Sequence, residues 1–204
     1  GGASGIGLAA AHRFKDLGLK VCILDRNLSS LDVEGHGFIV HEQDISDARS
    51  VSALAASLIA AHGPPAVLMN NAGITWGAPL GEFPHKAWEK VMNVNVAGMF
   101  DLTQKLLPML TASGTVDDPA RVINVGSVMG EREMGDGAYS YSMSKAAVHH
   151  MTRILGKELA GKHVTVNALA PGPFVSKMTA FATHDEDMRE KVGKDVPVGR
   201  VGRD

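Results

Sequence analysis

A tyrosine and a lysine four residues apart are the side chains of this sequence best suited to proton transfer. They stand in Tyr141-x-x-x-Lys145, within a stretch of helical composition. Residues four apart lie on the same face of a helix, so the phenol and the ammonium group can converge. A fixed cation stabilises the phenolate and lowers the tyrosine pKa from about 10 towards neutral pH. This predicts proton exchange with a carbonyl oxygen, and a solvated pair on an exposed helix is the alternative.

Two further polar side chains could take part in such a proton transfer. Ser127 ends a predicted strand, where its hydroxyl could hydrogen-bond a substrate oxygen or serve only as a turn or N-cap residue. Asn95 falls inside a predicted long helix, although asparagine is a poor helix former. A buried amide there needs a partner, so it could hold a water linked to Lys145. A solvent-facing asparagine is the other interpretation.

The glycine spacing Gly1-x-x-x-Gly5-x-Gly7 leads directly into a predicted helix. Glycine lets the backbone approach a pyrophosphate, and the helix N-terminus offers free N–H groups and a partial positive charge. A glycine-rich turn without a ligand would have the same spacing, so this motif alone leaves both interpretations open.

Asp25 and Arg26 follow at the end of the next predicted strand, about twenty residues after the glycines. A carboxylate at this place can accept hydrogen bonds from the ribose hydroxyls and repel a 2′-phosphate, which favours NAD. Arg26 could instead bind a 2′-phosphate through paired hydrogen bonds, which would favour NADP. A surface Asp–Arg turn without a ligand is the third possibility.

Strand and helix patterns alternate along the chain and must position these residues. Predicted strands cover residues 19–24, 37–41, 66–70, 120–125 and 163–169, and predicted helices cover 8–17, 47–62, 85–112 (kinked near Pro108) and 141–160. Apolar strands alternating with helices predict an α/β fold, a parallel sheet with helices on both faces. We expect one domain over residues 1–204, in which the polar segment 171–204 forms a mobile lid.

Composition excludes several classes of function. About 45% of the 204 residues are apolar and the net charge is −2, which argues against disorder and against nucleic-acid binding. Uncharged apolar stretches such as 54–61 are too short to span a membrane. The single cysteine, Cys22, fits a reducing compartment, so we expect a cytoplasmic protein. Neither the adjacent His149 and His150 nor the charged run 184–187 predicts a metal site.

These motifs occur in the order found in one enzyme family. Over essentially its whole length the sequence closely resembles the short-chain dehydrogenase/reductase family. The resemblance is carried by Gly1-x-x-x-Gly5-Ile6-Gly7, Asp44-Ile45, Asn70-Asn71-Ala72-Gly73, Asn95, Ser127, Tyr141-x-x-x-Lys145 and Asn167-Ala168-x-x-Pro171-Gly172. It implies a Rossmann-type doubly wound parallel sheet in three layers. It also implies hydride transfer between NAD or NADP and a ketone or secondary alcohol.

The resemblance further implies a role for each matching residue. Tyr141 would be the general acid/base, Lys145 would lower its pKa and bind the nicotinamide ribose, Ser127 would orient the carbonyl, and Asn95 would hold a relay water. The implied cofactor contacts are Gly1, Ser4, Gly5, Ile6, Gly7, Asp25, Arg26, Asp44, Ile45, Asn71, Ala72, Gly73, Tyr141, Lys145, Pro171, Gly172 and Phe174. The helices 85–112 and 141–160 would form a homodimer or homotetramer.

The substrate stays open within the family. Residues 75–80 and 120–128 look most like 3-oxoacyl reductases of the rhamnolipid-pathway type, whereas Pro171-Gly172-Pro173-Phe174 is similar to gluconate 5-dehydrogenases. A 3-oxoacyl thioester and a sugar or polyol are therefore both candidate substrates. A non-catalytic dinucleotide-binding sensor is the alternative from another class, because a fold tolerates loss of its chemistry.

Two features depart from the family pattern. The segment between Ser127 and Tyr141 is one residue longer than usual, and its loop 129–136 is unusually charged. The family also has a strand before the glycine motif and another strand after the position of Asp204. We therefore expect the sequence to be part of a protein of roughly 250 residues, a common size for one α/β domain.

Overall fold

Strands and helices alternate along the chain in this computed structural model, which describes residues 1–29, 31, 37–133, 137–176 and 178–202. The strands are β1 (Cys22–Asp25), β2 (Ile39–Glu42), β3 (Val67–Asn70), β4 (Ala120–Val125) and β5 (Val164–Leu169). The helices are α1 (Gly5–Asp16), α2 (Ala48–His62), α3 (His85–Met92), α4 (Met99–Ser113), α5 (Tyr139–Leu159), α6 (Ala180–Thr183) and α7 (Glu186–Gly193). All five predicted strands and three of the four predicted helices are confirmed with shifts at their ends, whereas the helix predicted over 85–112 is interrupted by a π-helical turn.

The strands pair in parallel, as the alternating pattern predicts. Within the described residues they form two sheets, β1–β2 and β3–β4–β5, rather than one continuous sheet. Cys22 lies opposite Ile39 in the first sheet, and Ala120 lies opposite Val164 in the second. A cavity of about 400 Å³ is lined by residues of both β1 and β3. The fold is thus the expected Rossmann type, with its parallel strands divided between two sheets.

Apolar side chains pack helices against each sheet. The larger core joins α2, α4 and α5 to the β3–β4–β5 sheet and contains Val51, Leu102, Leu110, Val122, Leu159 and Val164. The smaller core joins α1 to the β1–β2 sheet and contains Ala3, Ala11, Ile23, Leu31 and Phe38. The helices α4 and α5 connect neighbouring parallel strands, and right-handed crossovers place both on the same face of the sheet.

The predicted helix 85–112 runs from His85 to Ser113, but it is not α-helical throughout. A π-helical turn, Asn93–Gly98, separates α3 from α4. Pro108 lies inside α4 without ending it, so the irregularity is not at the proline. A Cβ atom on Gly98 would lie 2.5 Å from the backbone oxygen of Ile45, which shows how closely this turn approaches the loop after β2. Such turns are frequent at functional sites.

The segment after β5 is more regular than its polar sequence predicts. It contains the short helices α6 and α7, and the Asp185 side chain caps α7 by accepting from the Met188 N–H at 2.8 Å. The Gly202 N–H donates to the Pro173 carbonyl at 2.8 Å and fixes the end of the segment. Among the described residues, no helix is long and apolar enough to cross a membrane.

Candidate active site

The four predicted catalytic residues come together beside the carboxyl ends of β3 and β4. A Cβ atom added to Gly73 would lie 3.4 Å from both Asn95 Oδ1 and Lys145 Nζ. Lys145 Nζ lies 5.6 Å from the ring centre of Tyr141, and the Ser127 side chain is near enough to the phenol to influence its pKa. Because ligands of parallel α/β sheets bind at this end of the strands, the cluster lies where a substrate site is expected.

The lysine is held by the backbone of the neighbouring strand. Lys145 Nζ donates to the Val125 carbonyl oxygen at 2.7 Å, and only 5% of the residue is exposed. Burial disfavours the charged form and lowers the Lys145 pKa to about 8. The ammonium group is therefore fixed in place and close to its titration range at neutral pH.

The tyrosine does not behave as its spacing from the lysine predicts. Burial raises the pKa of Tyr141, and the nearby Ser127 side chain opposes that rise without cancelling it. The expectation of a lowered pKa is therefore wrong for the chain alone, because desolvation of the phenol outweighs a cation 5.6 Å from the ring centre. Tyr141 is a neutral phenol at neutral pH, which is the form that can donate a proton.

The Asn95 side chain is occupied by protein partners. Its Nδ2 donates to the Ile74 carbonyl at 3.0 Å and to Ser144 Oγ at 2.9 Å, while its Oδ1 accepts from the Ile74 N–H at 2.8 Å. Both amide hydrogens are thus used within the protein. A water linking Asn95 to Lys145 would have to bind the Asn95 backbone carbonyl or the second lone pair of Oδ1.

Ser127 has the capping role that its position allows. It caps the short helical turn Val128–Gly130, where Ser127 Oγ accepts from the Met129 N–H at 3.2 Å. The hydroxyl hydrogen remains available for Tyr141 or a substrate oxygen. The Val128 N–H donates to the Pro171 carbonyl at 3.1 Å and joins this turn to the segment after β5. Residues 134–136 of the longer charged loop lie outside the described residues.

The glycine loop has the close approaches that a phosphate-binding turn needs. A Cβ atom on Gly1 would lie 2.4 Å from the Ala72 Cα, and one on Gly7 would lie 2.0 Å from the Gly1 carbonyl oxygen. Gly5 has a φ of +52° at the first residue of α1, a conformation that glycine adopts without strain. Ser4 precedes α1 and is exposed, and Ile6 is half-buried in its first turn. Side chains at Gly1 and Gly7 would therefore overlap neighbouring atoms, so the loop needs glycine at both positions.

The residues predicted to contact the adenosine half lie at the ends of β1 and β2. Asp25 accepts hydrogen bonds from the Ala3 and Asn27 N–H groups, both at 3.1 Å, so its carboxylate also fixes the glycine loop. Arg26 is exposed beside it. The exposed Asp44 turns back to Ser46, with Oδ1 2.7 Å from the Ser46 hydroxyl oxygen, and its pKa is lowered by these hydrogen bonds. Ile45 is buried in the core, so only its backbone could contact adenine.

The remaining predicted cofactor contacts lie near this cluster. The Asn71 side chain donates to the Gly1 carbonyl, which joins the end of β3 to the glycine loop. Ala72 and Gly73 follow directly, beside the loop and beside Lys145 respectively. Pro171 contacts the Ser127 turn, Gly172 is exposed, and Phe174 pairs with Gly202. Within the part of the chain that the structure describes, no cluster of three potential metal ligands occurs.

Two buried residues of the site were missed by the sequence interpretation. Ser144 accepts from Asn95 Nδ2 and donates to the Tyr141 carbonyl at 2.7 Å. His149 lies behind Ser127, whose backbone N–H donates to His149 Nε2 at 3.3 Å. His149 follows Lys145 by one helical turn, and this spacing was the available signal for its position.

Comparisons with known proteins identify the family. A family model described as short chain dehydrogenase matches residues 1–187. The rhamnolipids biosynthesis 3-oxoacyl-[acyl-carrier-protein] reductase of Pseudomonas aeruginosa is 40% identical over 210 residues, covering 100% of this chain and 82% of that protein. Gluconate 5-dehydrogenase of Gluconobacter oxydans is 31% identical over 210 residues, covering 100% of this chain and 80% of that protein.

Solved structures of similar proteins have the same fold. The Pseudomonas aeruginosa RhlG/NADP active-site complex superimposes with a TM-score of 0.92 at 39% identity, covering 99% of this chain and 81% of that one. A 3-ketoacyl-(acyl-carrier-protein) reductase from Brucella melitensis complexed with NADH gives 0.89 at 27% identity, covering 100% of this chain and 83% of that one. The chain belongs to the short-chain dehydrogenase/reductase family of NAD(P)-dependent oxidoreductases acting on CH–OH and C=O groups.

Proposed function

We propose that the chain reduces a ketone to a secondary alcohol, and catalyses the reverse oxidation, with Tyr141 as the proton donor and acceptor. The single observation that carries this assignment is the half-buried Tyr141, whose ring centre lies 5.6 Å from Lys145 Nζ beside the carboxyl ends of β3 and β4. A phenol that stays protonated at neutral pH can give its proton to the oxygen of a carbonyl as that oxygen becomes an alcohol. The nicotinamide cofactor, when bound, supplies the hydride to the carbonyl carbon or removes it from the alcohol.

The other polar residues prepare this proton transfer. Ser127 Oγ donates its free hydrogen to the carbonyl oxygen and orients it towards Tyr141. Lys145, fixed on the Val125 carbonyl, places a cation near the phenol and stabilises the phenolate that forms as the proton leaves. Asn95 fixes the backbone at Ile74 and the first turns of α5, and its backbone carbonyl holds the water of the proton relay.

The residues around the glycine loop fit a dinucleotide. The space beside Gly1 and Gly7 excludes any side chain, and the N-terminus of α1 offers N–H groups to a pyrophosphate. We propose that NAD is preferred, because the Asp25 carboxylate at the end of β1 would repel a 2′-phosphate. An NADP preference would instead require Arg26 to bind that phosphate, so the two residues make opposite predictions.

We propose a 3-oxoacyl thioester as the substrate class, ahead of a sugar or polyol. Large apolar side chains are exposed on the segment after β3 and at the start of α5, with Trp76 at 48%, Leu80 at 75% and Tyr139 at 37%. The backbone bond from Ala78 N–H to the Gly137 carbonyl holds the two segments together. An acyl chain would bury these side chains, whereas a polyol would leave them in contact with polar groups.

We also propose that the protein is a cytoplasmic homodimer or homotetramer. Phe100 on α4 and Ile154 on α5 are exposed at 41% and 52%, which supports a homodimer or homotetramer formed through these helices. The single cysteine supports a cytoplasmic location.

The experiment measures NADH and NADPH oxidation by the full-length protein with 3-oxoacyl thioesters, simple ketones and keto-sugars. We expect turnover with the thioesters and loss of turnover in Tyr141→Phe, while cofactor binding, followed by fluorescence, remains. Turnover of keto-sugars alone would show that the substrate is a sugar or polyol and not a 3-oxoacyl thioester. Cofactor binding without turnover of any compound would favour the sensor, and full activity in Tyr141→Phe would exclude the role given to Tyr141.

A further inference from the structure

A buried histidine lies directly behind the turn that carries Ser127. His149 is on α5 and only 5% exposed. Its Nε2 accepts the hydrogen bond of the Ser127 backbone N–H at 3.3 Å. On the other side of the ring, Nδ1 is 2.7 Å from Glu131 Oε1, a contact distance without the alignment of a directed hydrogen bond. The Arg153 guanidinium binds the same carboxylate oxygen at 3.2 Å.

This arrangement fixes which ring nitrogen carries the proton. A backbone N–H can only donate, so His149 Nε2 must be without a proton in order to accept from Ser127. The ring proton is then on Nδ1, where it faces the Glu131 carboxylate. A carboxylate at one ring nitrogen is a common means of setting the tautomer, and therefore the acceptor, at the other.

The turn is shaped around the imidazole ring. A Cβ atom on Gly126 would lie 1.9 Å from His149 Nε2, and one on Gly130 would lie 3.0 Å from the Cε1 atom of the same ring. Gly126 and Gly130 therefore lie before and after Ser127 at the two points where the backbone contacts the His149 ring. The Gly130 N–H returns to the Ser127 carbonyl at 2.9 Å and closes the turn over the ring.

We propose that His149, whose Nδ1 faces the Glu131 carboxylate, is a positioning residue for Ser127. It does not touch the substrate. Its Nε2 fixes the backbone at Ser127 and thereby the direction in which Ser127 Oγ meets Tyr141 and the carbonyl oxygen. This inference rests on the role that the proposed function gives to Ser127, and it adds the group that sets the position of that hydroxyl.

The test compares two replacements of the histidine in the full-length enzyme with its cofactor. His149→Leu keeps an apolar side chain of similar size but removes the acceptor, whereas His149→Gln can place an amide oxygen near the former Nε2. We expect kcat to fall roughly 10- to 100-fold in His149→Leu, since small misplacements of reacting groups have effects of this size. The cofactor dissociation constant should change less than about twofold, and His149→Gln should recover part of kcat.

A double variant separates positioning from general loss of structure. In a Ser127→Ala background, His149→Leu should reduce kcat by less than about twofold further, because the histidine acts through the serine. The matched control is His85→Leu, which replaces a histidine whose side chain is 82% exposed and should leave kcat unchanged. If His149→Leu does not fold, Glu131→Gln, at a half-exposed site, tests the same contact with an expected smaller loss of kcat.

The outcomes distinguish this inference from the proposed function. Full activity in Ser127→Ala would overturn the role of Ser127 and with it both proposals. A large loss in Ser127→Ala together with normal kcat in His149→Leu or, where that variant is unfolded, in Glu131→Gln would overturn only the role of His149. Equal losses for His149→Leu with and without Ser127 would also overturn it, because the histidine would then act on the structure as a whole.

Discussion

Asn95 and Ser144 are joined by a buried hydrogen bond of 2.9 Å from Asn95 Nδ2 to Ser144 Oγ. This bond connects the π-helical turn Asn93–Gly98 to the helix that carries Tyr141 and Lys145. Because Ser144 Oγ also donates to the Tyr141 carbonyl, the two helices are held together one turn from the proposed proton donor. The irregular turn in the long helix therefore places Asn95 where it contacts α5.

Ser144→Ala should lower the free energy of unfolding by about 1–3 kcal/mol, since it leaves a buried amide N–H of Asn95 without its partner. The measurement is urea unfolding of the cofactor-free protein. Ser57→Ala, an exposed serine of α2 whose hydroxyl bonds within its own helix, is the control and should change stability by less than about 0.5 kcal/mol. Equal effects of the two substitutions would show that the Asn95–Ser144 bond contributes nothing specific.

Lys145→Met should change the pH dependence of stability. Burial lowers the Lys145 pKa in the folded protein to about 8, from an ordinary value of 10.5. Between these pH values the unfolded chain binds more protons at this lysine than the folded one, so its contribution to stability rises with pH. Below about pH 8 the full penalty of burying the charge is present.

The expected result is that the wild-type free energy of unfolding, minus that of Lys145→Met, increases from pH 8 to pH 10 in the cofactor-free protein. Urea unfolding at several pH values measures this difference. Val148→Ala, an uncharged change in the same helix, should give a difference that does not depend on pH. If the difference in free energy of unfolding between wild type and Lys145→Met also stayed constant with pH, the lowered pKa of Lys145 would be contradicted.

A chain of buried amides and hydroxyls crosses the fold beneath the site. Asn70 Nδ2 donates to Thr103 Oγ1 and to Asn124 Oδ1, and Asn124 Nδ2 donates to Thr152 Oγ1, each at 2.9 Å. These hydrogen bonds link α4, β3, β4 and α5, and α5 carries Tyr141 and Lys145. A buried polar network of this kind stabilises one arrangement of its elements, because other arrangements would break these hydrogen bonds.

Asn124→Ala should therefore lower the free energy of unfolding by about 2–4 kcal/mol, through both lost hydrogen bonds and the cavity left behind. Asn167→Ala, at an exposed position of β5, is the matched control and should remain within about 0.5 kcal/mol of wild type. Urea unfolding of both variants provides the measurement. A loss below 1 kcal/mol for Asn124→Ala, near the size of one ordinary hydrogen bond, would mean that the network is not cooperative.

The sequence predicted which residues meet at the site better than it predicted how they behave. Tyr141 and Lys145 share a helix face because of their spacing, and the alternating pattern places the ends of β3 and β4 beside them. The direction of the Tyr141 pKa could not be predicted, because it depends on how deeply tertiary packing buries the phenol. Local patterns also could not locate the π-helical turn, which depends on contacts of Asn95 and Gly98 with distant segments.

The partners of single polar residues that lie far away in the sequence could not be predicted either. His149 was considered only as one of two adjacent histidines, and its contact with Ser127 joins residues 22 positions apart. The contact by which Asp25 fixes the glycine loop could not be predicted for the same reason, since its partner Ala3 lies 22 positions earlier in the sequence. Spacing along one helix is visible in a sequence, whereas a hydrogen bond between a loop and a distant helix depends on the fold.

Asp25 should set the choice between the two nicotinamide cofactors. Its carboxylate would repel the 2′-phosphate of NADP, so Asp25→Ala should reduce the ratio of kcat/KM with NAD to kcat/KM with NADP by roughly tenfold, or about 1.4 kcal/mol. The substitution also removes the Asp25 carboxylate that accepts from the Ala3 and Asn27 N–H groups, which should lower kcat/KM with both cofactors. Because this loss affects both cofactors equally, it cancels in the ratio of the two kcat/KM values. Steady-state kinetics of the full-length protein with each cofactor measure it.

Asp25→Asn and Arg26→Ala complete this test. Asp25→Asn keeps an acceptor for the backbone but removes the charge, so it should shift the ratio in the same direction with a smaller shared loss. Arg26→Ala should shift the ratio towards NAD, because it removes the residue that could bind the 2′-phosphate. If neither change at Asp25 alters the ratio, the carboxylate serves only to fix the glycine loop through Ala3, and cofactor choice depends on other residues.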